Sequence, residues 1–202
     1  MFRHKPSWLN IVLFFIAGIL LLNIVSLSRA VSSSQSKTAS STSVEPKSVD
    51  EPAVPLFIMI PSINLKAKIE PVGLVQDAKM ANPLNKQNAA WFNHGSKPGE
   101  KGTAVISGHY DTTTGAPSVF YHLSELNPGD EIDLFDNEGH KYAYLVDRKQ
   151  VYANDAFPID EVFGQTGDDD KARLNLITCE GTYDRAAQNY THRTVVYARL
   201  IE

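Results

Sequence analysis

Two apolar runs near the C-terminus, joined by a short polar segment, constrain the fold of this chain more than any other feature. The first, residues 174–183 (LNLITCEGTY), contains Cys179, the one cysteine among 202 residues. The second, residues 190–200 (YTHRTVVYARL), carries Arg193 and then turns apolar. The intervening DRAAQN at 184–189 is polar throughout apart from two alanines. Branched and aromatic residues in short runs bounded by turn formers read as strands, so the pair reads as an antiparallel hairpin. That pairing sets Cys179 and Arg193 side by side at one edge of a sheet. Side chains alternate across a strand, so Arg193, Val195, Tyr197 and Arg199 share a face, while Val196, Ala198 and Leu200 share the core-facing side. By the same parity Cys179 lies with Ile177 and Asn175, opposite Leu174 and Leu176. The thiol is expected to point outward, beside Val195 and Arg193, on a face turned to solvent or to a groove. A third run, residues 103–111 (TAVISGHYD), reads as a strand ending at His109. The three strand ends are expected to form one active site.

Those residue types suit nucleophilic chemistry. A cysteine attacks as its thiolate, a nearby histidine protonates a leaving amine, and an arginine remains charged and donates to an oxyanion or carbonyl. Each has a blander reading alone: a small buried hydrophobe for Cys179, a turn-stabilising loop residue for His109, a surface ion-pair partner for Arg193. A metal site from His109, Asp111, His122 and Cys179 is an alternative without supporting ligand spacing. The acidic run Asp168 to Asp170 reads as a solvated loop, since no EF-hand spacing surrounds it. Six histidines and one cysteine supply no zinc-finger framework, a lone cysteine forms no internal disulfide, and a net charge of −4 offers no basic field to nucleic acid.

The N-terminal quarter is organised differently. Residues 8–27 run without a charge, close to the ~20 residues a helix needs to cross a bilayer. Arg3 and Lys5 precede the run, which places the N-terminus in the cytoplasm and everything after the span outside. Small residues at Ser28 and Ala30 leave a cleaved secretory signal as the alternative, but the apolar run is longer than a signal core. The expected organisation is a cytoplasmic tail at 1–7, a transmembrane signal-anchor at 8–28, a Ser- and Pro-rich flexible linker at 29–55, and one exported domain at 56–202.

Within that domain the pattern is all-β. Strands are expected at 56–60, 63–69, 72–75 and 103–107, with an apolar stretch at 89–92 before a run of turn formers; a hairpin at 131–135 and 141–146, its second strand continuing to 152, precedes the two C-terminal strands. A two-turn helix is expected at 119–126, and the long polar connection 153–171 is expected to hold one short helix. About eight strands with little helix imply a sandwich or a barrel.

The residues 103–109, 176–179 (LITC) and 192–198 (HRTVVYA) resemble the three signature strands of the sortases, membrane-anchored cysteine transpeptidases of bacterial surfaces. The Ile-Pro-x-Ile start at 60–63 and the stretch 120–130 (FYHLSELNPGD) fit as well, and the match looks closest to the class F and class E branches. The resemblance implies an eight-stranded β-barrel with short helices and a substrate groove on its outer surface. It implies Cys179 as nucleophile, His109 as general acid then base, and Arg193 as donor to the oxyanion or substrate carbonyl. Ser107, Ile177 and Val195 stand where relatives line the groove. Many class F sequences carry the arginine two positions earlier, where this chain has Thr191; Arg193 fits the spacing of the other classes. The implied partners are secreted proteins ending in a sorting signal of the Leu-Pro-x-Thr-Gly type and an amine of a cell-wall precursor, with no cofactor, no metal and a monomeric enzyme. A Cys-His hydrolase using water, and an anchored barrel that only binds peptides, are the readings to be separated from it.

Overall fold

The computed structural model describes residues 54–164 and 170–201. The expected tail, anchor and nearly all of the linker, together with Asp168 and Asp169, lie outside the described residues. Among the described residues no helix is long and apolar enough to cross a membrane.

Eight strands form a closed barrel: β1 (Pro55–Ile60), β2 (Leu65–Val72), β3 (Ala89–Phe92), β4 (Gly102–Ser107), β5 (Glu131–Asp136), β6 (Lys141–Ala153), β7 (Ala172–Asp184) and β8 (Asn189–Leu200). Around the barrel the order is β1-β2-β3-β4-β7-β8-β6-β5. β2 with β3 and β4 with β7 pair in parallel, and the other neighbours are antiparallel. Closure leaves no free sheet edge, and the alternation of strand side chains fills the interior. In β2, Lys66 and Lys68 face out while Ala67 and Ile69 face in. The turn from β1 to β2 is a 3-10 turn, Pro61–Ile63, closed by Asn64 at φ 49°. Proline supplies the fixed φ that starts the turn, and asparagine tolerates the left-handed conformation that ends it. The segment expected as a separate strand at 72–75 is the end of β2 followed by a single bridge from Leu74 to Met80.

The interior core gathers Ile58, Ile60, Ile106, Ile132, Leu134, Leu174, Leu176 and Val196, all without exposed surface. Each such side chain contributes roughly 1.5–3 kcal/mol by leaving water. Phe120, Leu123 and Leu126 close this core from one end and are equally buried. Here the expected two-turn helix is corrected. Only Leu123–Glu125 is helical, as a 3-10 turn. Residues 119–122 form a turn tied to the histidine loop instead: Ser118 N–H, just before the segment, donates to the Tyr110 carbonyl and Phe120 N–H to that of His109, both at 2.9 Å. The three core residues recur every third position, the period of a 3-10 turn rather than an α-helix. Lys149 on β6 then donates to the carbonyls of Ser124 and Leu126, anchoring the turn.

A second apolar cluster sits outside the barrel wall. It joins Val105, Ile177, Val195 and Tyr197 with Val162 and the flanking Met80, Phe92, Tyr152, Phe157 and Phe163. The β6–β7 connection, which includes the expected short helix as α1 (Ile159–Val162), forms its roof. Asn175 Nδ2 donates to the Val162 carbonyl at 2.7 Å, and the bond is buried. Gly164, at φ +75°, passes so close that a Cβ would stand 2.6 Å from that of Thr103. The Arg148 guanidinium lies 3.5 Å above the Tyr197 ring and pairs with Glu161 at 2.5 Å. The face of β8 expected to meet solvent or a groove is therefore largely covered. Val195 has no exposed surface and Tyr197 is buried, because the roof brings its own apolar residues to them.

Candidate active site

β7 and β8 pair in the register that parity implies. Cys179 stands opposite Arg193 and Ile177 opposite Val195. Cys179 is half-buried and unoxidised. The hairpin runs on past this point to Asp184 and Asn189, with a register shift between Glu180 and Tyr183. Gly181, at φ +85°, lies in that shift, where a Cβ would strike the Thr191 hydroxyl at 2.5 Å.

His109 lies two residues beyond the end of β4 rather than in the strand. Three contacts fix its position. Gly108 N–H donates to the Ile177 carbonyl at 3.0 Å, continuing the parallel β4–β7 ladder. The hydroxyl of Thr178, the residue before the cysteine, donates to the Gly108 carbonyl at 3.0 Å. The His109 carbonyl accepts from Phe120. Gly108 and Thr178, the residues that precede His109 and Cys179, are thus tied together on adjacent strand ends. Glycine is required at 108 because a Cβ would meet Phe120 at 2.5 Å and Val119 at 2.8 Å.

The electrostatics of the three groups differ in cause. Burial pushes the Cys179 thiol up, the nearby Arg193 charge opposes this, and Asp111 adds to it. Burial pushes the His109 imidazole down, helped by Lys86 and opposed by Asp111. The Arg193 guanidinium is turned toward the hairpin tip. It donates to the carbonyls of His192 and Tyr190 at 2.8 and 3.3 Å, and to Asn189 Oδ1 at 2.6 Å. These bonds occupy three of the five donors a guanidinium carries.

The other expected site residues separate. Ser107 ends β4, half-buried, between Ala90 of β3 and Ile177 of β7. Ile177 is 8% exposed and Val195 is completely enclosed in the outer cluster, so Ile177 retains a small surface and Val195 none. His122 is on the exterior, paired with Glu125 at 2.6 Å. Among the described residues no three His, Cys, Asp or Glu side chains are grouped as a metal site requires.

Asp111 was weighed in the sequence only as a metal ligand, and Tyr190 only as a strand residue; the structure joins them. The Tyr190 hydroxyl donates to Asp111 Oδ2 at 2.5 Å. The Tyr190 ring meets Tyr110 and Tyr183 edge-on, and Tyr110 stacks on Tyr121 at 4.6 Å. Nothing local in the sequence signals a pairing across 79 positions; only the closed barrel order brings 111 and 190 together.

The fold is thus a closed eight-stranded barrel with a cysteine and an arginine paired across its last two strands and a histidine on the adjoining strand end. The Sortase domain family matches residues 58–201, and the chain belongs to the sortase family, one of cysteine transpeptidases. Among similar solved structures is a lid mutant of sortase A from Corynebacterium diphtheriae, at 20% identity and TM-score 0.57, covering 78% of this chain and 74% of that one. Sortase C1 of Streptococcus agalactiae, in complex with MTSET, is 23% identical with TM-score 0.56, covering 73% and 68%. A sortase D5 transpeptidase of Clostridium perfringens is 22% identical with TM-score 0.54, covering 74% and 79%. These likenesses concern the fold. No curated protein sequence matches the chain.

Proposed function

We propose that this sortase cleaves a C-terminal sorting signal of the Leu-Pro-x-Thr-Gly type and transfers the upstream protein to an amine of the cell wall. The observation that carries the reading is the cross-strand pairing of Cys179 with Arg193, beside a His109 loop tied to the same strand by the bonds of Gly108. The Cys179 thiolate attacks the threonine carbonyl carbon. The C–N bond breaks, the departing glycine amine takes its proton from His109, and the acyl group remains on Sγ as a thioester. A second amine then attacks the same carbon, gives a proton to His109, and releases the thiolate. Arg193 donates to the carbonyl oxygen while it carries negative charge. This requires the guanidinium to use donors beyond those engaged at the hairpin tip. Ser107 and the exposed edge of Ile177 are the groove surface next to the thiol, and Val195 supports them from beneath. The placement near class F or class E belongs to the same proposal; the spacing of Arg193 departs from class F and fits the other classes. So does the location: a domain outside the cell membrane, held by a single span at 8–28 that follows Arg3 and Lys5.

The test is to incubate the full-length protein with a sorting-signal peptide, with and without a glycine amine, and read products by mass. An acyl adduct on Cys179 and a ligated product that requires the amine are expected. Cys179→Ala should give neither while unfolding at an unchanged temperature; ligation by that variant rejects the assignment. Cleavage that is indifferent to the amine would make the enzyme a hydrolase.

A further inference from the structure

We propose that Asp111 and Tyr190 form a positioning pair that locks the His109 loop to the Cys179–Arg193 hairpin, and that the Asp111 carboxylate sets the pH at which thiol and imidazole work together. The inference rests on the assignment of Cys179 and His109 as the reacting pair. It concerns residues that touch neither bond being made or broken.

Tyr190 is the point where three parts of the site meet. Its hydroxyl donates to Asp111, two residues after His109. Its carbonyl accepts from the Arg193 guanidinium and from Asn154 on the β6–β7 connection. Its ring packs against Tyr183 on the partner strand and Tyr110 on the histidine loop. Asp111 is held from the other side by its backbone bridge to Pro117. A hydroxyl bond to a carboxylate is of the charge-assisted kind, about twice as strong as a neutral one. The loop bearing His109 and the hairpin bearing Cys179 are also joined near their bases by the bonds of Gly108, and by the Tyr110–Tyr190 ring contact. The Asp111–Tyr190 bond closes the far side.

The carboxylate so held acts on both reacting groups. The charged and titratable groups around them are Lys86 and Asp111 for His109, Arg193 and Asp111 for Cys179, and Tyr110, with Glu180 behind it, beside Tyr190. Among these described groups Asp111 is the one that acts on both members of the pair. Its negative charge favours imidazolium and disfavours thiolate, so it moves both titrations to higher pH. Removing the charge therefore lowers both together. The gap between them, which sets how many molecules hold thiolate and imidazolium at once, changes little, while the pH of the optimum falls. A residue with a purely structural role would lower the height of a pH profile and leave its position alone.

The test uses the full-length protein with Asp111→Asn and Tyr190→Phe. Alkylation of Cys179 by iodoacetamide is followed against pH, which reads the thiolate without requiring turnover. Transpeptidation of a sorting-signal peptide is followed over the same range. Asp111→Asn is expected to move the alkylation midpoint and both limbs of the activity profile to lower pH. Tyr190→Phe keeps the ring contacts and loses the bond; kcat is expected to fall on the order of tenfold with KM for the peptide little changed. An alkylation curve for Asp111→Asn that superimposes on the wild type, or full kcat in Tyr190→Phe, overturns the proposal. If Asp111→Asn does not fold, the Tyr190→Phe split between kcat and KM decides alone. A wild-type protein that ligates no peptide while its alkylation curve still responds to Asp111→Asn would sink the transpeptidase reading and leave this pair standing.

Discussion

Replacing Gly108 by alanine is expected to damage the site out of proportion to its effect on stability. The added Cβ would stand 2.5 Å from Phe120 Cδ2 and 2.8 Å from Val119 Cγ1, where ordinary contact begins at 3.4 Å. One of the partners must then retreat by about 0.9 Å. Phe120 has no exposed surface and closes the end of the barrel core, so it has no free space to enter. The Gly108 backbone is held at both its N–H and its carbonyl, to Ile177 and Thr178. Over-packing a site this constrained costs about 1–3 kcal/mol. At roughly 2–4 °C per kcal/mol for a domain of this size, thermal unfolding should fall by roughly 2–12 °C. The cheapest relief is a shift of the loop that follows, and that loop carries His109. A misplacement approaching 1 Å in a reacting group costs on the order of a hundredfold in rate. Activity measured well below the unfolding temperature should therefore drop far more than the folded fraction does. Adding Phe120→Leu to the variant should recover part of the loss, so that the two substitutions together destabilise less than their sum. If Gly108→Ala unfolds at the wild-type temperature and retains full activity, the clash and the clamping of His109 are both refuted.

Two further outcomes follow from the site and its roof. Burial raises the Cys179 pKa and lowers that of His109, so thiolate forms at higher pH than in a free cysteine and imidazolium is lost at lower pH than in a free histidine. With unshifted values only about 1% of molecules hold both charges at the midpoint; the alkylation midpoint of Cys179 should lie above the ordinary thiol range, and a midpoint below it would refute the sign. Asn175→Ala leaves the buried Val162 carbonyl without its donor and should cost about 1–3 kcal/mol in denaturant unfolding, with easier proteolysis in the β6–β7 connection; an unchanged midpoint would mean the roof is held by its apolar contacts alone.

Much of the site was legible because it depends on local pattern. Strand parity sets Cys179 and Arg193 on matching faces, and the observed register pairs them; the shift between Glu180 and Tyr183 makes the match, since the Tyr183–Tyr190 register continued unshifted would put Thr194 opposite Cys179. The hairpin at 131–146 follows from alternation around a turn, and β5 and β6 bear it out. What was not legible depends on contacts between distant parts. Val195 and Tyr197 share a face with two arginines, which suggested an open surface; their burial comes from Val162 and its neighbours in a connection that is mostly polar. The segment 119–126 has helical spacing of apolar residues, yet Phe120 bonds back to His109, and Ser118 just before it to Tyr110, a choice made by the barrel rather than by the segment. The orientation of Arg193 is likewise set by Tyr190 and Asn189 at the hairpin tip, and no spacing rule predicts where a guanidinium turns.

The burial around the site has a consequence for its thiol. Sulfur is oxidised as its thiolate, and susceptibility follows thiolate character and exposure. Here burial pushes the Cys179 thiol up against the pull of Arg193 and pushes the His109 imidazole down, so both shifts disfavour the charged forms around a half-covered sulfur. Arg193, meanwhile, is occupied by the hairpin tip rather than by the sulfur. A substrate carbonyl that drew the guanidinium toward the groove would bring positive charge to the thiol only when there is something to attack. The arrangement makes a specific demand: a peptide that fills the groove but lacks the scissile carbonyl should leave the alkylation curve of Cys179 where it is, whereas one that offers the carbonyl as an uncleavable mimic should shift it to lower pH. Equal shifts from both peptides would mean that groove filling alone, and not the movement of Arg193, activates the sulfur.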